Sequence, residues 1–197
     1  MITVKQVILQ MIFGLGSIIA DMDYVGNALE DREGSVRKNI PDLLDYKSML
    51  YIGANKRRQH FLDWFINAKY DVTIVEAFKE NYGYLKEKFK EHKVIHGDIR
   101  TTHVENYDVI FYWHGIEHLP FSDIPSVLRK LESKCKLIVL GMPFGVYVQE
   151  AEYGNKYEVH ESAIYPEFLV QQRYEYETLG DMDQRGANIT AWKWMKV

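Results

Sequence analysis

The stretch Ser48-Met49-Leu50-Tyr51-Ile52-Gly53-Ala54-Asn55-Lys56-Arg57 constrains this chain more than any other. A short apolar run ends in Gly-Ala-Asn, and a helical pattern follows at once. That order predicts a strand, a tight turn and a helix, the unit that opens a nucleotide-binding α/β sheet. A glycine at the strand end lets a ligand approach the backbone because no Cβ intervenes. A helix starting there would aim its unpaired N–H groups at the same spot.

From residue 48 the pattern alternates. Strands are expected at Met49–Ile52, Val72–Val75, Val94–Gly97, Asp108–Trp113 and Leu137–Leu140. Between them, helical spacing places Phe61, Leu62, Phe65 and Ile66 on one face of a helix over about 56–68. It makes Phe78, Tyr82, Leu85 and Phe89 one stripe of a helix over about 79–92. A further helix follows Ser122, with Ile124, Val127, Leu128 and Leu131 inward. This alternation predicts a parallel sheet with right-handed crossovers. The end of the chain departs from it. Pro166 suits the first turn of a short helix. The runs Tyr174–Leu179 and Ile189–Met195, with no helix between them, predict an antiparallel hairpin.

The chain of 197 residues is 47% hydrophobic and 26% charged, with a formal net charge of −4, so one soluble domain with a sizeable core is expected. Without a basic excess, broad binding to nucleic acid or to an anionic membrane is not expected. The one cysteine, Cys135, cannot form an internal disulfide and reads as a reduced core thiol, in keeping with a cytoplasmic protein. Residues 1–47 stand apart as a leading helical segment or lid. Their apolar stretch, Val7 to Ala20, falls short of the roughly 20 residues that span a bilayer. It also contains Gln10 and two glycines, and Ile18 fits a signal-peptide cleavage site poorly. A helix that is buried or faces a partner, with a homodimer through this segment as one outcome, is the better reading.

Gly53, Glu76, Asp98 and the pair Trp113-His114 all fall just past the ends of predicted strands. Open α/β sheets bind ligands at that edge. Glu76 follows Gly53 by 23 positions, close to the spacing of an acid that grips ribose hydroxyls. A carboxylate suits a vicinal diol because it accepts two hydrogen bonds. Asp98 can accept one from an adenine amino group.

On these residues the chain resembles the class I S-adenosylmethionine-dependent methyltransferases over about 48–197. Ile52-Gly53-Ala54-Asn55 is similar to the family's first motif, Glu76 and Asp98 to its acids after strands two and three, and Gly115-Ile116-Glu117-His118-Leu119 to its Leu-Glu-His-Leu segment. The resemblance implies an α/β, Rossmann-like three-layer αβα sandwich. Its seven-stranded, mostly parallel sheet would run 3-2-1-4-5-7-6 with strand seven antiparallel. It also implies S-adenosylmethionine as cofactor, held by Gly53, Ala54, Asn55, Glu76, Ala77, Asp98, Ile99, Trp113 and His114. His114 and His118 are the candidate bases. Gln149-Glu150, Gly154-Asn155, Glu158, His160 and Ser162 resemble a subset of the family. Tyr153, Asn155 and His160, on the long connection after strand five, are expected at the site of a small or medium-sized acceptor. The chain departs from the family where Tyr51 replaces its opening acid and where Asn55 and Arg57 replace two glycines.

Three other readings compete. A methyltransferase-like binding module without activity would account for the altered glycine turn. A nicotinamide dehydrogenase lacks its Gly-x-Gly-x-x-Gly spacing here. His114-Gly115-Ile116-Glu117-His118 spells the His-x-x-Glu-His of inverted zinc peptidases, which needs both histidines on one stable helix. A strand enters this segment and Pro120 follows it, so no zinc is expected on His114 and His118.

Overall fold

The computed structural model describes residues 32–57, 59–151, 153–180 and 187–196. The apolar stretch Val7–Ala20, the homodimer expected through it, and most of the turn expected over 181–188 lie outside the described residues.

A helix over 32–39 (α1) precedes β1 (Ser48–Ile52). Then come α2 (His60–Asn67), β2 (Asp71–Glu76), α3 (Lys79–Lys88), β3 (Lys93–His96), β4 (Tyr107–Trp113), α4 (Ile124–Glu132) and β5 (Cys135–Pro143). The chain ends with α5 (Pro166–Gln171), β6 (Glu175–Leu179) and β7 (Asn188–Trp194). The sheet runs β3-β2-β1-β4-β5-β7-β6. Strands β1 to β5 pair in parallel, and β7 lies antiparallel between β5 and β6. The expected strand order and the closing hairpin are therefore both present.

The strands are rich in Val, Ile and Leu because both faces of the sheet are covered, which is the rule for parallel sheets. Their period of two divides the core. Leu50, Ile52, Ile110, Tyr112, Ile138 and Leu140 join Ile124, Leu128 and Leu131 of α4 and Leu169 of α5 on one face. Met49, Tyr51, Val109, Phe111, Trp113 and Val139 join Val36 of α1, Phe61, Leu62 and Phe65 of α2 and Leu85 of α3 on the other. The Phe61 ring centroid lies 4.5 Å from that of Trp113 and 5.0 Å from that of Phe111. Gly141 of β5 makes room for Trp113, since a Cβ there would stand 2.3 Å from the indole.

The described part of the leading segment packs on the second face through Val36, Ile40 and Leu43. Arg37 of α1 lies 4.0 Å over the Trp64 ring of α2. At the far sheet edge Glu177 of β6 accepts from Ser35 (2.6 Å), Lys38 (2.6 Å) and Asn39 (2.8 Å). Among the described residues no helix is long and apolar enough to cross a membrane.

Strand β5 is longer than expected at both ends, and two helix boundaries also differ from expectation. Helix α3 stops at Lys88. Helix α2 begins at His60, not at about Lys56, because Asn55 intervenes. Its Oδ1 accepts from the Arg57 N–H at 2.8 Å, and this Asx turn holds the backbone out of the helix. The helix N-terminus is thus displaced from the glycine it was expected to serve.

Candidate functional site

The strand order reverses between β1 and β4, and the chain leaves β1 at Gly53. That residue has φ of 78°, which glycine alone adopts without cost, and its N–H donates to Val75 at 3.0 Å. A cavity of about 330 Å³ opens there. Of the residues expected to bind cofactor or acceptor, Gly53, Asn55, Glu76, Ala77, Asp98, Ile99, Trp113, His114, His118 and Asn155 line it. Ala54, Tyr153 and His160 do not. Ala54 is buried in the second core cluster. Tyr153 stacks on the Arg57 guanidinium at 3.3 Å, so the arginine is held beside the turn, away from this cavity. His160 sits behind the wall, its ring centroid 4.8 Å from that of His118.

Glu76 ends β2 and is buried. Burial pushes its carboxyl up to about 7, with the charge of Glu158 adding to the rise, against the opposing hydrogen bond from the Phe78 N–H at 2.7 Å. Asp98 behaves in the opposite way. Arg100 forks onto both its oxygens at 2.6–3.1 Å and holds its carboxyl below the usual range. Arg100 alone thus takes up most of that carboxylate's acceptor capacity.

His114 follows β4 with φ of 48°, a left-handed conformation that a residue with a Cβ rarely adopts. Such strain concentrates at functional positions. Its Nδ1 lies 3.1 Å from Oε1 of Glu117, which is only 1% exposed. Burial pushes this carboxyl up, but the His114 hydrogen bond and the charges of His114 and His118 outweigh it and leave the group low. His118 lies on the same 3₁₀ turn, Ile116–His118. Gly115 opens that turn, and the Tyr112 ring occupies the space a Cβ would take.

The described residues of the connection after β5 form a strap. Asn55 Nδ2 donates to Glu158 Oε1 at 2.7 Å, and Gln149 Nε2 donates to the Glu158 carbonyl at 2.8 Å. Further along, the N–H groups of Glu161 and Ser162 donate to the Glu117 carbonyl at 2.9 and 3.0 Å. Ser162 Oγ donates to the Leu119 carbonyl at 2.5 Å. Gln149, Asn155, Glu158, His160 and Ser162, singled out in the sequence as a cluster, brace this strap and pin it across the cavity. Arg32, Arg100, Tyr157 and Glu158, none of them named individually in the sequence as a binding residue, also line the cavity. Glu158 stood inside that cluster, whereas nothing in the local sequence marks Arg32.

No protein-family model matches the sequence, and no curated protein matches it significantly. Solved structures do match its backbone. The N-terminal domain of EvdMO1 with SAH bound aligns with a TM-score of 0.61 at 12% identity, over 82% of this chain and 79% of that one. The methyltransferase domain of a bacterial CtHen1 aligns with a TM-score of 0.59 at 14% identity, over 84% and 98%. A TehB-like SAM-dependent methyltransferase from Corynebacterium glutamicum aligns with a TM-score of 0.55 at 18% identity, over 76% and 80%. With the strand order 3-2-1-4-5-7-6 and the reversed β7, the chain has the Rossmann-like fold of the class I S-adenosylmethionine-dependent methyltransferases.

Proposed function

We propose that this protein is an S-adenosylmethionine-dependent methyltransferase acting on a hydroxyl or amine of a small or medium-sized acceptor. The observation that carries the reading is Glu76: a buried carboxyl that lines the cavity beside the Gly53 turn, its pKa pushed to about 7. Ionising such a buried group is costly, and a ribose diol supplies two further donors that favour the charged carboxylate. The solved structures of this fold that carry SAH or SAM support the same ligand.

In this reading Gly53 lets the cofactor lie against the backbone, Glu76 holds the ribose, and Asp98 with Ile99 borders the adenine. When bound, S-adenosylmethionine supplies an electrophilic methyl group whose sulfonium departs as a neutral thioether. The protein's part is alignment and proton handling. His114 is the base. The Glu117 carboxylate accepts from its Nδ1–H, which selects the tautomer with an electron pair on Nε2 and stabilises the imidazolium that forms when the acceptor's proton arrives. Asn155 and Tyr157 of the strap, with His118, border the acceptor side and screen the site from water. Cys135, its thiol pushed up to about 12 by burial, is unreactive and suits a reducing cytoplasm.

The competing reading, a binding module without transfer activity, draws on Tyr51, which is buried where the family has an acid. Thermal shift against S-adenosylmethionine, S-adenosylhomocysteine and NAD separates the two. A methyltransferase is stabilised by the first two ligands and not by NAD. In calorimetry Glu76→Ala weakens S-adenosylmethionine binding by roughly 1–3 kcal/mol, the scale of a lost hydrogen bond to a charged group. Equal affinity in the variant and the parent removes Glu76 from the ribose.

A further inference from the structure

We propose that Glu117, His118 and His160 form a binding site for a divalent first-row transition-metal ion at the acceptor end of the cavity. Their donor atoms lie within 4.8 Å of one another. Metal–ligand bonds of about 2.0–2.2 Å hold donors roughly 3–4.4 Å apart, so a small contraction closes the set. The three come from two elements. Glu117 and His118 lie on the 3₁₀ turn after β4, and His160 lies on the strap, which the Glu161 and Ser162 N–H groups fasten to the Glu117 carbonyl.

The hydrogen bonds around the cluster decide which ring nitrogen of each histidine can bind a metal. His118 Nδ1 lies 3.1 Å from the Val159 carbonyl, and His160 Nδ1 lies 2.7 Å from the Tyr147 carbonyl. A carbonyl oxygen can only accept, so each Nδ1 carries the hydrogen and each Nε2 keeps its electron pair. This is the arrangement that orients imidazole ligands toward metals. Glu117 completes it. Its Oε1 is taken by His114, while its buried Oε2 has no hydrogen-bond partner among the described residues. A buried carboxylate oxygen without a partner is costly, and a cation removes the cost. His114 is thus a support for the carboxylate and not a ligand, so the site differs from the His-x-x-Glu-His pattern of the inverted peptidases. Two imidazoles and one carboxylate suit manganese, iron, cobalt or zinc better than magnesium or calcium, which prefer oxygen.

His118 belongs to both the cluster and the cavity wall, so the ion's remaining positions adjoin the acceptor space. An acceptor hydroxyl coordinated there loses its proton to solvent or His114 more readily. That role rests on the transferase reading, whereas the metal site does not.

The test uses tag-free full-length protein stripped with chelator and titrated with Co²⁺, read by its visible absorption and by calorimetry. One Co²⁺ per chain is expected, displaced by Zn²⁺. His160→Asn abolishes it, and His114→Ala weakens it by roughly 10–100-fold, the cost of losing a supporting partner. His103→Asn, an exposed histidine elsewhere, leaves it unchanged. Circular dichroism confirms that each variant is folded. The absence of saturable binding, or binding indifferent to His160→Asn, overturns the site. S-adenosylmethionine affinity is measured on the same samples, so failure of the metal site and failure of the transferase reading are separate results.

Discussion

The side-chain amide of Asn55 donates to Glu158 Oε1 at 2.7 Å, across 103 residues of sequence. This bond ties the glycine turn after β1 to the strap after β5 and closes the cavity between them. The same carboxylate accepts from Asn155 at 3.3 Å and raises the pKa of Glu76. One acid thus couples the strap to both the turn and the group assigned to the ribose.

Breaking that bond should loosen the strap without unfolding the sheet. Asn55→Ala and Glu158→Ala are each expected to weaken S-adenosylhomocysteine binding by about 1–2 kcal/mol, the scale of a hydrogen bond to a charged group. The double variant should show a coupling of roughly 0.5–3 kcal/mol, as for groups in one hydrogen-bonded network. Calorimetry on all four proteins measures it. Strictly additive effects would mean that the strap closes by other contacts.

Glu76 should give the protein a pH dependence of known sign. Its folded pKa, about 7, lies above the ordinary 4.5, so the folded chain keeps a proton that the unfolded chain releases. The stabilisation is full below pH 4.5 and is lost as pH rises through 7. Glu76→Gln removes the titration. At about pH 8 it should be more stable than the parent by roughly 2–4 kcal/mol, since each tenfold change in proton affinity is worth about 1.4 kcal/mol, and the difference should vanish near pH 4.5. Denaturant melts across this range decide it. Ribose hydroxyls favour the ionised carboxylate, so cofactor binding at a pH of about 6.5 should release protons. Calorimetry in buffers of different ionisation enthalpy reads this.

Gly115→Ala is expected to cost roughly 1–3 kcal/mol by overpacking. The added Cβ would stand 1.7 Å from Tyr112 Cε2, and the Tyr112 hydroxyl already donates to the Gly115 carbonyl at 3.0 Å. Because the displaced ring lines the cavity, ligand affinity should fall with stability. A variant as stable as the parent would show that the 3₁₀ turn can shift freely.

Glu177→Ala should release α1 from the sheet edge. Ser35, Lys38 and Asn39 all donate to this carboxylate, and the Lys38 bond, with that of Ser35, holds its pKa below the usual range. A loss of about 1–2 kcal/mol is expected, with faster tryptic cleavage near Arg37. Since the carboxyl is depressed, the parent's advantage is present above the ordinary carboxylate range and should be lost as pH falls through the lowered folded value. Unchanged cleavage would show that α1 is held by its apolar contacts alone.

Much of the fold was legible in the residues. The runs Val72–Val75 and Leu137–Leu140 carry the signature of strands covered on both faces, and strand ends marked by Gly53, Glu76 and Asp98 predicted the edge where the cavity opens. The start of α2 was not legible. Apolar spacing is silent on whether an asparagine side chain will take the N–H that a helix needs, and Asn55 does.

The order of residues alone settled the alternation of strands and helices, the two-faced core and the groups at the strand ends, because periodicity and spacing are local. Which distant groups meet was decided in three dimensions. Asn55 reaches Glu158, Arg57 turns outward onto Tyr153, and His160 arrives beside Glu117 and His118. No local pattern encodes these meetings. They depend on where the strap after β5 crosses the cavity, which is set by the backbone hydrogen bonds it makes to the Glu117 carbonyl. The separate histidines and carboxylates of the sequence become neighbours because that strap is pinned where their donor atoms converge.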